Sequence, residues 1–212
     1  FPIPSRINIK ESEYKRENDL LCKILGYHIT DGSYELNRRK KNGIQFWNND
    51  KILIDDYKNA AESYFNIKSG LTRRGKQYAI RIVSNSIVEK MEKIDKNLME
   101  RGNKKVIPET IMQLPRENIK YLLRALFDGD VTVVFQNRGG CRITLVAENK
   151  RLAEQVADLL LRFGIQSSIF KDNHSKVWRL DISGQENLRK FLVDISFLSQ
   201  KKKNRLKEYF EK

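Results

Sequence analysis

The chain has 212 residues, enough to bury a sizeable core as one large domain or as two of about 100 residues each. Lys and Arg number 41 against 27 Asp and Glu, a net charge of +14 with a pI near 9.7, which makes a polyanion the natural partner. No run of about 18 apolar residues and no signal-like apolar centre is present, so no helical membrane span is expected and the chain reads as soluble; two cysteines, Cys22 and Cys141, and two histidines, His28 and His174, exclude a structural zinc site and suit a reducing compartment.

Residues 1–17, with Pro2 and Pro4, precede any periodic pattern and read as an N-terminal extension. An apolar helix follows and runs to Asp31-Gly32. Next come the basic hairpin turn Arg38-Arg39-Lys40-Lys41-Asn42-Gly43 and a strand in which Ile44 and Phe46 alternate with Gln45 and Trp47, so that one face packs and the other is free. Ile54, Tyr57, Ala61 and Tyr64 then recur at helical spacing and are core positions. A second basic turn, Arg73-Arg74-Gly75-Lys76, leads into the strand-like residues Tyr78 to Val83 and a closing helix. Over residues 99–115 the pattern breaks into Glu100-Arg101-Gly102-Asn103-Lys104-Lys105, closed by Pro108, which reads as a linker.

The same order then returns. Asp50-Lys51 matches Asn149-Lys150 at an offset of 99, while Phe65-Asn66-Ile67 matches Phe163-Gly164-Ile165 and Ile80-Arg81-Ile82 matches Trp178-Arg179-Leu180 at an offset of 98. Ile143 and Leu145 alternate with Arg142 and Thr144; Leu152, Val156, Leu159 and Phe163 mark the helix; Arg138 and the Lys171–Lys176 stretch mark the basic turns. The expected fold is therefore α+β, two αββαββα repeats over residues 18–98 and 116–212 joined by the linker. A single basic turn is ordinarily just a solvated turn. Its repetition in both copies suggests four turns lining one groove.

Ile24-Leu25-Gly26-Tyr27-His28-Ile29-Thr30-Asp31-Gly32 aligns with Leu123-Arg124-Ala125-Leu126-Phe127-Asp128-Gly129-Asp130-Val131. Small residues fall four apart in each, Gly26 with Thr30 and Ala125 with Gly129, so the two helices can approach closely. Each ends on an aspartate, where the macrodipole disfavours a carboxylate by about 0.3 to 1 kcal/mol, and bringing the helices together brings two carboxylates together. A lone Asp-Gly is an ordinary turn; its duplicated placement points to a divalent cation, and oxygen-only ligation points to Mg²⁺. Val131 departs from the pattern by standing where Gly32 stands, and a β-branched residue does not readily take a positive φ, so a different helix exit and an asymmetric metal position are expected. Gly70-Leu71-Thr72-Arg73-Arg74-Gly75-Lys76-Gln77 nearly spells a phosphate-binding loop, but Gln77 replaces the required hydroxyl and a strand follows instead of a helix.

These segments resemble the two dodecapeptide motifs of the LAGLIDADG homing endonucleases in their single-chain form, and the resemblance extends from about residue 18 to the C-terminal helix. It implies pseudo-twofold symmetry, motif helices packed at the centre, saddle-shaped sheets in the major groove, and metals bound by Asp31 and Asp130. Lys105-Val106-Ile107-Pro108 resembles the Lys-x-Ile-Pro element of that family, which makes Lys105 a candidate for stabilising charge in the transition state; the 98 offset nominates Lys203 within Lys201-Lys202-Lys203 as its counterpart. The implied activity is Mg²⁺-dependent hydrolysis of both strands of a long, asymmetric DNA site by a monomer, with two or more divalent ions. Gln45, Trp47, Arg81, Arg142, Thr144 and Arg179 would face the bases, and Arg38, Arg39, Lys40, Arg73, Arg74, Lys76, Arg138 and Lys171 the phosphates. The alternatives are a catalytically inactive binder of the same architecture, either an RNA maturase or a DNA-binding regulator, and a structural basic protein. The expected location is the cytoplasm, or an organelle or nucleoid where the target DNA lies. The chain has neither the first Cys or Ser nor the final His-Asn of a whole intein, and an intron, intein or free-standing origin stays open.

Overall fold

In the computed structural model, which describes residues 12–96, 104–136, 139–172 and 175–211, helix α1 (Arg16–Thr30) is buried at every position from Leu21 to Ile29 except Lys23. A helix buried on nearly all sides must lie between other elements rather than on a surface. It is followed by β1 (Gly32–Asn37), β2 (Lys40–Asn48), α2 (Lys51–Phe65), β3 (Gly70–Arg74), β4 (Gln77–Val83) and α3 (Asn85–Ile94). After a connector bearing the short helix α4 (Glu109–Met112), the order repeats as α5 (Arg116–Asp130), β5 (Val131–Phe135), β6 (Cys141–Ala147), α6 (Lys150–Leu161), β7 (Ser168–Lys171), β8 (Trp178–Ser183) and α7 (Gln185–Lys190). A π-helical turn at Phe191–Ile195 and α8 (Gln200–Phe210) close the chain's described part.

Each repeat forms a four-stranded antiparallel sheet, in the orders β1-β2-β4-β3 and β5-β6-β8-β7. The alternation predicted from sequence is realised: Ile44 and Phe46 pair with Ile82 and Ile80 on the buried face, while Gln45 pairs with Arg81 on the other. Both amphipathic helices start on a side-chain cap, Asp50 accepting from the Ile52 amide at 3.0 Å and Asn149 from the Leu152 amide at 2.7 Å, which satisfies a backbone donor that the helix leaves orphaned. One apolar core runs through both repeats.

The repeats meet through α1 and α5. A Cβ placed on Gly26 would lie 2.5 Å from the Leu122 carbonyl oxygen and 2.7 Å from Ala125 Cβ, and one on Gly129 would lie 2.6 Å from Thr30 Cβ. The small residues are therefore what lets these backbones approach. The connector is held against α6: the Gln155 side chain accepts from the Ile107 amide at 2.8 Å and donates to its carbonyl at 2.6 Å, and the buried Arg162 guanidinium donates to the Met112 and Leu114 carbonyls.

Val131 corrects an expectation. It leaves α5 at φ −111° and ψ 145°, and Gly32 is not among the glycines with positive φ. Neither exit needs a left-handed residue. Gly32 is required for space, because a Cβ there would collide with the His28 ring, whereas position 127, which aligns with His28, holds Phe127.

Candidate active site and nucleic-acid interface

Asp31 and Asp130 emerge where α1 and α5 end, and both reach solvent. They open into two clefts. One, of about 620 Å³, is lined by Asp31, Asn48, Asp50, Asp128, Ser199 and Lys202 among others; the second, of about 310 Å³, is lined by Asp130, Thr30, Lys105, Glu148 and Asn149 among others. Under the 99-residue repeat Asp31, Asn48, Asn49 and Asp50 correspond to Asp130, Ala147, Glu148 and Asn149, so the clefts are pseudo-symmetric in position and different in chemistry. Asn48 donates to the Asp31 carboxylate at 3.2 Å. Ala147 has nothing to donate to Asp130.

The electrostatics follow. Burial within the cleft, and next the Asp31 charge, push the Asp130 carboxyl up to about 6, against the pull of Lys105 and Lys202. Burial also raises Asp31, opposed by the Asn48 hydrogen bond and the same two lysines. Burial lowers both lysines, opposed in each by the cleft's carboxylates. The histidine beside this site, His28, is fully buried and turned away from the clefts, its Nε2 2.8 Å from the Tyr57 hydroxyl; burial first and Lys105 second depress it to about 3.

The structure places Lys105 in the cleft with Asp130, and it puts Lys202, not Lys203, in the equivalent place beside Asp31. Lys203 is missing from that cleft's lining. The one-position slip has a local origin: Lys105 lies outside any helix or strand, whereas Lys202 lies in the first turn of α8, so a constant offset does not hold across this segment. Asp128, 2% exposed, went unremarked as a site residue in the sequence; its carboxylate accepts from the Leu198 and Ser199 amides at 2.8 and 3.1 Å and is raised to about 6 by burial, against those two bonds.

On the sheets, Arg38, Arg39, Lys40, Arg73, Arg74, Lys76 and Lys171 are exposed at hairpin ends. Arg38 and Arg39 occupy positive φ at 47° and 69°, the backbone of a two-residue hairpin turn whose twist matches the strands. Arg138 lies outside the described residues. The outward strand residues are engaged within the protein: Arg81 pairs with Glu35, Arg142 with Asp181 at 3.3 Å and Arg179 with Asp172 at 2.6 Å, while Trp47 Nε1 donates to Gln45 at 3.0 Å and Gln45 to Ser33 at 3.2 Å. Thr144 corrects another expectation. At 5% exposed it donates to Asp181 at 2.7 Å and supports Asp181 rather than presenting itself on the surface. The acidic partners had no signature in sequence, because they lie on other strands or turns: Glu35 two strands away from Arg81, Asp181 on the strand beside Arg142, and Asp172 in the turn before β8.

Two antiparallel sheets joined through close-packed helices that each end in an aspartate define a tandem LAGLIDADG architecture, and the chain belongs to the LAGLIDADG-like domain family, which matches residues 20–95 and 117–196. Among curated proteins it is 34% identical over 212 residues to the replication factor C small subunit of Methanocaldococcus jannaschii, covering 97% of this chain and 11% of that protein. It is 27% identical to the DNA polymerase II large subunit of Thermococcus kodakarensis, covering 91% of this chain and 12% of that protein. The chain thus spans about a tenth of the length of these relatives. Among solved structures, I-DmoI in complex with DNA and manganese superposes with a TM-score of 0.63 at 16% identity, covering 85% of this chain and 98% of that one. This is the fold of the homing endonucleases.

Proposed function

We propose that this chain is a homing endonuclease that makes a double-strand break in a long DNA site by metal-dependent hydrolysis, with Asp31 and Asp130 each serving one strand. The observation that carries this reading is the pair of helix-terminal carboxylates, each in a cleft with a lysine. Among the described residues no group of three or more His, Cys, Asp or Glu is placed to hold a metal ion by itself, so carboxylates, backbone carbonyls, water and phosphate would complete a shell, a set that suits Mg²⁺. The fit is electrostatic as well: burial first and the Asp31 charge second lift Asp130, and a divalent cation offsets both. When bound, the metal supplies an activated water and stabilises the leaving oxygen. Asp31 and Asp130 would hold the cations, Asn48 fixes the Asp31 carboxylate, and the basic hairpin ends would fix phosphates on either side.

The two sheets present different outward residues, Gln45, Trp47 and Arg81 against Arg142 and Arg179, which favours an asymmetric target read by one copy of the chain. The match to a small fraction of a replication factor C small subunit and of a DNA polymerase II large subunit, two differently named proteins, supports a portable module of intein or intron type.

The test is a randomised duplex library incubated with the protein in Mg²⁺, with Ca²⁺ as the binding-only arm. Double-strand cuts at one long motif, lost in Asp31→Asn and Asp130→Asn while binding in Ca²⁺ persists, are expected. Specific binding with no cut by the wild type would move the chain to the inactive regulator or maturase class.

A further inference from the structure

An ammonium group has three N–H donors, and in both clefts all three are used on backbone. Lys105 Nζ donates to the carbonyls of His28, Thr30 and Gly32 at 2.8, 3.1 and 3.2 Å, which surround the C-terminus of α1. Lys202 Nζ donates to the carbonyls of Phe127, Asp128 and Gly129 at 3.1, 2.6 and 3.4 Å, which lie at the C-terminus of α5. All but that of Gly32, which opens β1, are carbonyls a helix leaves without intrahelical partners, at its negative end.

The connections are crossed. Lys105 closes α1, the helix of Asp31, yet shares its cleft with Asp130; Lys202 closes α5, the helix of Asp130, yet shares its cleft with Asp31. The segments that carry the lysines are tied down on the opposite repeat from the helix they close. Asn149, the cap of α6, donates to the Lys105 carbonyl at 2.8 Å, and Asp50, the cap of α2, accepts from the Ser199 hydroxyl at 2.7 Å. Each strap therefore runs from the first turn of one repeat's amphipathic helix to the last turn of the other repeat's motif helix.

We propose that Lys105 and Lys202 are positioning residues that act through the backbone ends of the motif helices, each setting the geometry of both aspartates and so coupling the two clefts. The proposal rests on the nuclease reading for its consequence, though not for its geometry. A lysine whose three protons are spent on carbonyls has none left to donate to a phosphate in this arrangement. Its charge offsets the dipole of one helix and the carboxylate of the other at once.

The test uses the full chain with Lys105→Met or Lys202→Met, checked by urea denaturation to be folded. Amide exchange is measured first without metal. In Lys105→Met the amides of Ile29, Thr30 and Asp31 are expected to exchange about tenfold faster or more, while Phe127, Asp128 and Gly129 are unchanged; Lys202→Met is expected to give the reverse. On a duplex that the wild type cuts, either variant is expected to slow both strands and to raise the Mg²⁺ concentration for half-maximal cutting, with DNA binding in Ca²⁺ unchanged. Unchanged exchange at both helix ends would overturn the proposal, as would slowing confined to the strand cut in the lysine's own cleft. A wild type that cuts no duplex would remove the nuclease reading, and the exchange result would still decide this one.

Discussion

Gly129→Ala isolates the contact that joins the two repeats. In an isolated helix the substitution is favourable by about 1 kcal/mol. Here the new methyl would lie 2.6 Å from Thr30 Cβ and 2.7 Å from its Cγ2, where carbon atoms at rest stand about 3.5 to 4.0 Å apart. Neither backbone can yield separately, since both glycine and threonine sit on helices locked at the core, so α1 and α5 must part by about 1 Å. Overpacking of this kind costs about 1 to 3 kcal/mol, which cancels or outweighs the propensity gain and leaves a net loss of up to about 2 kcal/mol, up to about 8 °C in Tm for a chain of this size. Urea denaturation of Gly129→Ala, Thr30→Gly and the double variant measures it. Because Thr30→Gly removes the colliding atoms, the double variant should recover about 1 kcal/mol or more relative to the sum of the single effects. A Gly129→Ala protein as stable as the wild type, or more stable, with additive effects in the double variant, would refute the close-contact reasoning.

Other consequences follow from the same geometry. The folded Asp130 carboxyl sits at about 6 rather than its ordinary 3.8, so this site favours folding while protonated, an advantage complete below about pH 4 and lost as the pH rises through about 6. Asp130→Asn, uncharged throughout, should gain stability relative to the wild type between pH 4 and pH 7 in the absence of metal; urea denaturation at both ends of that window checks it, and a flat difference contradicts the assignment. Gln155→Leu strands the amide and the carbonyl of Ile107, both now bonded to the Gln155 side chain, and should cost about 2 to 4 kcal/mol in the same assay. A loss near zero would show that water replaces both bonds. Asp172→Asn frees Arg179 from its 2.6 Å ion pair and should tighten binding to random duplex, with a steeper salt dependence by about one phosphate contact; anisotropy titrations from low to moderate salt would expose an unchanged slope.

The repeat was legible because it is written in periodicities that packing enforces. Ile44 and Phe46 return as Ile143 and Leu145, Asp50 returns as Asn149, and these positions recur because strands bury alternate residues and helices need caps. Asp31 and Asp130 were legible for the same reason: their helices must approach closely, and Gly26, Ala125 and Gly129 mark where. Lys202 was not, because it lies on a helix where Lys105 does not, and the offset changes with it. The role of Gly32 is spatial and not a backbone preference: it leaves room for the His28 ring, a contact no local pattern announces. The pairing of Arg81, Arg142 and Arg179 with Glu35, Asp181 and Asp172 lay hidden because it depends on strand order, register and turn geometry, which the alternation of a single strand does not specify.

The central claim is that the two helix-terminal carboxylates hold divalent metal against DNA. Its most direct test is a crystal of the protein on its selected duplex grown with Mn²⁺, with anomalous scattering collected at the manganese edge. Manganese peaks within coordination distance of both Asp31 and Asp130, lost from a Asp31→Asn, Asp130→Asn double variant, are the predicted result. Peaks bound elsewhere, or duplex seated on the sheets with no metal at either carboxylate, would contradict it.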